Sequence, residues 1–406
     1  LKGEKTQNPS NLFEGIDTSW SRIKGGELIG ELLYEIEKNF NFNDPSTHLP
    51  KLVEAYALLQ QINDEHWKFQ KSEHLKKIIL ACGGIYLEGS TKTSSAIPGE
   101  KVTLFIEALN RTASDIQLKS VTIEGIGSIF DEKTSLPQNE KKNMELAFMI
   151  PKDKVFSNPY WLNEKGSLGM YKVNNTALVG KPETPAAFNM NFILDFDGTE
   201  IAFKKSVIHR YSKPDFGEIY EPFVVLPKVT ANFSEDVFLF NTAEPQNINM
   251  AIRAGTDNIS GIAKLSLPEN WTSRPSSIDF KIDQKGAIQN VVFQIFPPEN
   301  ESVATISPLL IIEGKTFDRK LVEIEYDHIP KQSILLPAEA KVVRTNIKKE
   351  GERIGYIVGA GDKVPESLSQ IGYQVDLLNL DDIEPNDLGS YDGIVLGIRA
   401  YNVLED

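Results

Sequence analysis

The histidines are the residues of this chain with which a catalytic metal site would have to be built. Of the five, none falls in an H-x-x-H, H-E-x-x-H or H-P-x-D-D pattern. His66 and His74 lie roughly 80° apart around a helix, and acidic residues flank both. Helix-surface or interface histidines are the favoured interpretation, and a ligand pair is the open alternative. The five residues are His48, His66, His74, His209 and His328.

Nucleophilic and calcium chemistry have few candidates. Cys82 ends an apolar run, which predicts a buried structural thiol rather than a reactive thiolate. No G-x-S-x-G motif is present. Asp195 and Asp197 lie two residues apart on a predicted strand, so both point to one face, and Gly198 follows them. They favour a solvated hairpin end over a calcium site, because calcium needs more oxygen ligands.

A glycine turn near the carboxyl end could hold an anion. Gly359 and Gly361, with Asp362, lie between a predicted strand and a predicted helix, where backbone N–H groups can bind an anion. Arg399 follows a later parallel strand and would reach the same sheet edge. These four residues are candidate anion contacts, and the alternative is a tight turn without a ligand, because the third glycine of G-x-G-x-x-G is missing.

Aromatic residues mark candidate sugar contacts, since exposed rings offer flat apolar faces to sugar C–H groups. Tyr160 and Trp161 occur together in a long stretch between strands, and Trp271 follows the turn Leu267–Asn270. Buried edge aromatics are the alternative interpretation for all three.

Helical periodicity dominates the first part of the chain. Apolar residues recur at helical spacing from Leu28 to about Leu80 and predict three helices packed on something else, because their own core would be thin. Thr47 and Asp64 are predicted to cap the second and third helices, and Gly83 with Gly84 to end the third.

From about Ile85 the hydrophobic period changes from 3.6 to 2 and predicts strands. Asp197-Gly198 is a hairpin dipeptide between two of them. Because no helical pattern intervenes, the strands predict two successive antiparallel, immunoglobulin-like β-sandwiches.

The last 56 residues follow a different pattern. A short apolar strand, a glycine turn, a helix with Pro365 near its start and two more strands predict the beginning of a parallel α/β domain. The chain is therefore predicted to be multidomain and mainly β. Its predicted parts are a helical region (1–86), a first sandwich (87–215), a second sandwich (216–332), a linker (333–350) and the start of the α/β domain (351–406).

Composition excludes some partners. The net charge of −14 opposes nucleic-acid binding. No stretch approaches the roughly 18 apolar residues of a membrane-spanning helix. A single cysteine cannot form an internal disulfide. With no initiator Met or leader at the start, and an apolar strand just before the end, we expect a chain that is cut at both ends.

Several stretches together resemble the region downstream of the catalytic domain in large bacterial PIG-L (LmbE-like) deacetylases. The second sandwich, with Leu267–Trp271, resembles the NEW3-type accessory domain of carbohydrate-active enzymes. The stretches that carry the main resemblance are Leu12–Trp20 (LFEGIDTSW), Pro159–Leu162 (PYWL), Ile354–Asp362 (IGYIVGAGD) and Gly397–Asn402 (GIRAYN).

The resemblance implies zinc-dependent removal of acetyl groups from N-acetylglucosaminyl glycoconjugates by the whole family protein, a hydrolase. The family's H-P-x-D-D and H-x-x-H motifs do not occur in this chain, so it implies no catalytic residue, no metal ligand and no cofactor here, with zinc expected only in the missing catalytic domain. That upstream catalytic domain of the same polypeptide and glycan are the expected partners. The location is expected to be periplasmic or secreted, and the last segment to resemble flavodoxin-like class I amidotransferases in fold.

Two other functions stay open. The chain could be a stand-alone polysaccharide-binding surface protein, or the last segment could be a small-anion-binding α/β module.

Overall fold

A computed structural model describes residues 16–379 and 388–404. These residues form two compact units. The first contains residues 16–155, 185–225 and 326–331, and the second contains residues 156–184, 226–325, 332–379 and 388–404. The five-part division drawn from the sequence stays a prediction. Among the helices of the described residues, none combines the length and the apolar character that a membrane span requires.

The three predicted helices are present: α1 (Glu27–Lys38), α2 (Leu49–Leu59) and α3 (Glu65–Cys82). The cap of α3 is Asp64, whose Oδ1 accepts from the Trp67 N–H at 3.0 Å, and Gly83 ends the helix as predicted.

The predicted capping role of Thr47 is wrong. A 3-10 turn, Pro45–His48, runs directly into α2, and Asp44 caps this turn by accepting from the Ser46 N–H at 3.2 Å. The reason is Pro45, whose fixed φ suits the first helical position and moves the helical start upstream of Thr47.

Among the described residues, eleven strands lie wholly in the first unit. They are β1 (Ile85–Thr91), β2 (Ser95–Ala96), β3 (Lys101–Asn110), β4 (Gln117–Ile123), β5 (Gly127–Ser135), β6 (Lys142–Met149), β7 (Asn189–Phe196), β8 (Thr199–Ser206), β9 (Ile208–Lys213), β10 (Gly217–Pro222) and β11 (Val224–Val225). They form a five-stranded sheet in the order β10-β9-β1-β3-β6, a four-stranded sheet in the order β5-β4-β7-β8, and the short pair β11-β2. Asp197-Gly198 turns β7 into β8 with φ of 49° and 89°, as the hairpin dipeptide predicts.

One hydrophobic core unites the helices and both sheets of this unit. Ile29 and Leu59 from the helices belong to the same buried cluster as Leu104 of β3 and Phe192 of β7, and all four are fully buried. The prediction that the three helices need a packing partner is confirmed, and the partner is the five-stranded and four-stranded sheets of the first unit.

The second unit has its own core and its own strands. These are β12 (Val229–Phe233), β13 (Val237–Phe240), β14 (Gln246–Ala254), β15 (Ile259–Ser266), β16 (Thr272–Arg274), β17 (Ile278–Ile282), β18 (Ile288–Phe296), β19 (Ser302–Ile312), β20 (Lys315–Phe317), β21 (Arg319–Tyr326), β22 (Ile329–Pro337, shared with the first unit at its start) and β23 (Ala340–Arg344). The sheets run β12-β14-β18-β16 and β13-β23-β19-β15-β17, with β20 on β19, and β21 pairs with β22. Fully buried Phe240, Ile252, Phe293 and Leu310 come from both large sheets.

The prediction of purely antiparallel sandwiches is wrong at three strand pairs. β1 with β9, β2 with β11, and β13 with β23 run parallel. Hairpin-linked neighbours must run antiparallel, but each of these pairs joins strands far apart in sequence, and long connections allow either direction.

The last described elements are β24 (Arg353–Ile357), α4 (Val364–Gln370), β25 (Gln374–Leu378), β26 (Gly393–Leu396) and α5 (Ala400–Val403). The three strands form a parallel sheet in the order β25-β24-β26. The predicted acidic helix or turn over 381–391 lies largely outside the described residues. Its end, Leu388–Ser390, is a 3-10 turn.

The outward face of the five-stranded sheet holds a cluster of charges. Glu88 on β1 lies directly opposite Glu107 on β3, an unfavourable arrangement for two like charges. From β9, the guanidinium of Arg210 approaches both carboxylates, with Nη1 2.9 Å from Glu88 Oε1 and Nη2 3.7 Å from Glu107 Oε2. Tyr86 donates to the other Glu88 oxygen at 2.6 Å, and the pKa of its hydroxyl is raised by burial and by that carboxylate. One guanidinium thus joins two strands whose acids would repel.

Removing this guanidinium is expected to loosen β1 and β3. Glu88 is nearly fully buried, so Arg210→Met should destabilise the first unit by about 3 kcal/mol, the usual cost of leaving a buried charge unpaired. Hydrogen–deuterium exchange over residues 85–110 measures the effect. Lys204→Met, which breaks the exposed 2.6 Å pair with Glu124, is the control and should cost less than about 1 kcal/mol. Equal exchange in the two variants would contradict the role given to Arg210.

Candidate functional site

The histidines and the cysteine are not gathered into a site. In residues 16–379 and 388–404, no group of three His, Cys, Asp or Glu side chains could hold a metal ion. His66 and His74 are both exposed on α3, as the favoured interpretation predicts. The Nε2 of His48 accepts from the Asn41 N–H at 2.9 Å. Cys82 is buried, and that burial raises its thiol pKa, which disfavours the thiolate.

Asp195 and Asp197 serve the β7–β8 hairpin. The Asp195 carboxylate accepts from Lys133 Nζ at 2.8 Å and from the Gly198 N–H at 2.7 Å. These contacts lower the pKa of Asp195, the lysine contributing most. The carboxylate is therefore committed to the turn.

The glycine turn after β24 is occupied by a carboxylate of the chain itself. Asp362 accepts from the Val364 N–H at 2.9 Å, from the Ile398 N–H at 3.0 Å and from the Tyr356 hydroxyl at 2.6 Å. The tyrosine is buried, and burial together with Asp362 raises its pKa to about 12. The same hydrogen bonds, Tyr356 first, lower the pKa of Asp362. Donors that the sequence offered to an anion thus already hold Asp362.

Gly359 and Arg399 have conformational roles in the same region. A Cβ on Gly359 would lie 2.2 Å from the Ile398 carbonyl oxygen, so the glycine permits the loops after β24 and β26 to touch. Gly361 has φ of +98°, which favours glycine. Arg399 is exposed, with φ of +55° before α5. The four candidate anion contacts therefore lie at one sheet edge, as predicted, but the edge is built around Asp362.

Trp271 lies in the core of the second unit. It is 3% exposed, packs edge-to-face on Phe240 at 5.1 Å between ring centroids, and donates its indole N–H to Ser302 Oγ at 3.3 Å. The ring has no free face for a sugar. The predicted sugar contact at Trp271 is wrong, because the ring belongs to the buried core of the second unit.

Tyr160 and Trp161 line an open aromatic cleft, formed by the 156–184 segment of the second unit. The rings meet edge-to-face with centroids 4.9 Å apart. They border a recess of about 560 Å³, within the size range of ligand sites. The other lining residues are Met170, Tyr171, Val173, Val179 and Gly180.

A second recess of about 790 Å³ adjoins the first and shares Trp161, Met170 and Tyr171 with it. Its far wall comes from β21, β22 and the turn between β22 and β23. Charged residues line the recess on both sides: Arg319, Lys320 and Glu339 on that wall, and Glu164 and Lys165 on the 156–184 segment. The cleft therefore combines an aromatic floor with a polar rim.

The 156–184 segment contains no strand, so hydrogen bonds between side chains and backbone hold it in place instead of strand pairing. The Tyr160 hydroxyl donates to the Lys181 carbonyl at 3.0 Å, and the backbone N–H of Tyr160 donates to Thr184 Oγ1 at 3.0 Å. Asn158 Oδ1 accepts from the Leu335 N–H at 2.9 Å. These bonds hold the base of the segment and leave its rings at the surface.

The sequence reasoning missed Met170 and Tyr171, which are 72% and 67% exposed. A tight turn in which Ser167 and Met170 exchange backbone hydrogen bonds presents them. The available signal was the length of the strand-free segment, because loops of more than about 15 residues in compact units commonly carry function.

Comparisons with known proteins give no family. No family model matches the chain, and no curated protein matches it. Among solved structures, it is similar to a protein of unknown function from Porphyromonas gingivalis W83 at 11% identity and a TM-score of 0.19, covering 65% of this chain and 100% of that one. It is also similar to red sea bream transglutaminase at 10% identity and 0.26, covering 68% and 34%. For Escherichia coli alpha-2-macroglobulin the values are 9% and 0.21, covering 64% and 16%. Scores this low transfer neither fold nor function.

The spare hydrogen-bonding groups define what the cleft can do. Among the described residues, neither the Trp161 indole N–H nor the Tyr171 hydroxyl has a hydrogen-bond partner. Aromatic rings at the surface with unused polar groups suit a ligand that has both apolar faces and hydroxyl or amide groups. Sugars meet this description.

The Asp362 turn predicts an acid-sensitive parallel sheet. Because the folded-state pKa of Asp362 is lowered, its contribution to stability is present above the unfolded pKa of about 4 and is lost as the pH falls through the folded value. Calorimetric unfolding between neutral and acid pH should therefore show a weaker acid dependence in Asp362→Asn than in the wild type. Asp392, whose pKa is also lowered, is unchanged in both proteins. Identical pH profiles would show that Asp362 does not stabilise the turn.

Proposed function

We propose that this chain binds glycan in the aromatic cleft and is the non-catalytic downstream region of a PIG-L-like deacetylase. The observation that carries the proposal is Trp161, whose ring lines both recesses and whose indole N–H is unused. Cleft volume, aromatic floor and charged rim all suit N-acetylglucosaminyl glycan, which has C–H faces and an amide.

Sequence resemblance supports the second half of the proposal. Pro159–Leu162, one of the stretches that resemble the family, begins the wall of the cleft. The proposal includes immunoglobulin-like sandwiches, a NEW3-like second one, a flavodoxin or class I amidotransferase-like final segment and a periplasmic or secreted location. The zinc and its ligands would belong to the upstream domain of the same polypeptide.

Glycan binding is tested by titrating the chain with N-acetylglucosamine oligosaccharides in a calorimeter. Trp161→Ala should weaken binding about tenfold, because one stacked ring contributes about 1–1.5 kcal/mol. Trp161→Phe should retain part of the affinity. The control is Phe216→Ala, which removes an exposed ring in the β9–β10 turn and should leave binding unchanged. Binding that survives Trp161→Ala in full would refute the cleft as the site.

The absence of catalysis is tested separately. With added zinc, the chain should release no acetate from N-acetylglucosamine conjugates, because the described residues offer no set of three metal ligands. Measurable turnover by the chain alone would sink the non-catalytic assignment while leaving the binding result standing.

A stand-alone polysaccharide-binding surface protein is the second candidate, and the same cleft favours it. The coding sequence upstream of Leu1 separates the two, since an H-P-x-D-D segment supports the deacetylase and a signal peptide directly before Leu1 supports the surface protein. The third candidate, an anion-binding α/β module, has less support because Asp362 already occupies the donors of its turn.

A further inference from the structure

A third recess lies on the first unit, on the outward face of the five-stranded sheet. It measures about 450 Å³ and its floor crosses β9, β1, β3 and β6. Phe105 provides an aromatic surface in its lining, and Glu145 lies directly opposite Phe105 on β6. This recess shares no lining residue with the aromatic cleft.

The Phe105 ring already has a cation over it. The ammonium of Lys92 lies 4.9 Å from the ring centroid, within the range of a cation–π contact. Lys92 itself is exposed, and the described residues offer its ammonium no carboxylate partner. The side chain is therefore a weakly held occupant that a ligand can replace.

The neighbouring charges decide the sign of the ligand. Arg210 is engaged by Glu88 and Glu107, and Glu107 also pairs with Lys141 at 2.8 Å. Glu145, in contrast, has no hydrogen bond or ion pair among the described residues. Apart from Lys92 itself, the uncommitted charge beside the ring is thus a carboxylate, which favours a cation in the place that the Lys92 ammonium now holds.

An organic ammonium fits this recess better than a metal ion. The described residues hold no group of three acidic, His or Cys side chains close enough to bind a metal. An aromatic face beside one carboxylate instead suits a compact ammonium, which receives electrostatic attraction from both. Ser90 and Asn143, which also line the recess, offer a hydroxyl and an amide to the ligand's polar groups.

We propose that this recess binds the primary ammonium group of an amino sugar, which displaces Lys92 from the Phe105 ring and pairs with Glu145. The choice of an amino sugar rests on the proposed function, because deacetylation of an N-acetylglucosaminyl glycan exposes a primary amine. The chain would then hold acetylated glycan in the cleft and deacetylated glycan on this sheet.

The test is calorimetric titration with glucosamine oligosaccharides at mildly acidic pH, where their amines are protonated. Phe105→Leu, which keeps apolar bulk and loses the ring, should weaken binding about fivefold, and Phe105→Tyr should restore it. Glu145→Gln should weaken binding about threefold. Lys92→Ala should tighten it about twofold to threefold, because the internal competitor is gone. Lys154→Ala, whose ammonium lies over the buried Phe188 ring, is the control and should change nothing.

Absence of glucosamine-oligosaccharide binding, or binding that is equal in wild type and Phe105→Leu, overturns the inference. So does equal dependence on Phe105 for N-acetylated oligosaccharides, since an amide carries no positive charge. The proposed function fails on other evidence, namely N-acetylated oligosaccharide binding that is indifferent to Trp161→Ala. The two failures are therefore separate results of one set of titrations.

Discussion

Alternate burial along the strands is the constraint on which both units depend. A strand between core and solvent directs every second side chain inward, so Val102, Leu104 and Ile106 are buried in the core of the first unit. Ligands can therefore be bound only by the outward-facing residues and by segments outside the sheets. Phe105 belongs to the first group and Trp161 to the second. The same constraint places Trp271, beside a strand of the second unit, in the core.

The outward face of the five-stranded sheet shows how charge is distributed under that constraint. Two acids face each other across β1 and β3, and the sheet tolerates them because Arg210 reaches both. A cation used for structure is then no longer available for a ligand. Apart from Lys92, the charge that remains uncommitted beside the Phe105 ring is Glu145, so the cation preference proposed for the recess follows from the way the sheet is stabilised.

Local signals in the sequence were enough to predict the helices, a cap and a hairpin, but not which distant strands pair with each other. Helical spacing located α1 to α3, Asp64 acted as a cap, and Asp197-Gly198 formed its hairpin, since each depends on neighbours within a few residues. The parallel β1–β9 and β13–β23 pairs depend on contacts between distant strands, which no local pattern encodes. Thr47 failed as a cap because Pro45 began the helical turn earlier.

The candidate sites divide in the same way. The sequence predicted Tyr160 and Trp161 as candidate sugar contacts but grouped them with Trp271, because packing between sheets decides which rings are buried. The sequence also predicted Asp362 as a contact for a bound anion, whereas the Asp362 carboxylate is itself the anion that the turn holds. Indole hydrogen bonding separates the two tryptophans: Trp271 donates to Ser302 within its own core, while the Trp161 N–H has no acceptor among the described residues. The hydrogen bonds of Tyr160 hold the backbone next to Trp161, and the Trp161 N–H can find an acceptor only in water or in a ligand. A ligand that also covers the Trp161 ring gains both this hydrogen bond and the apolar contact with the ring.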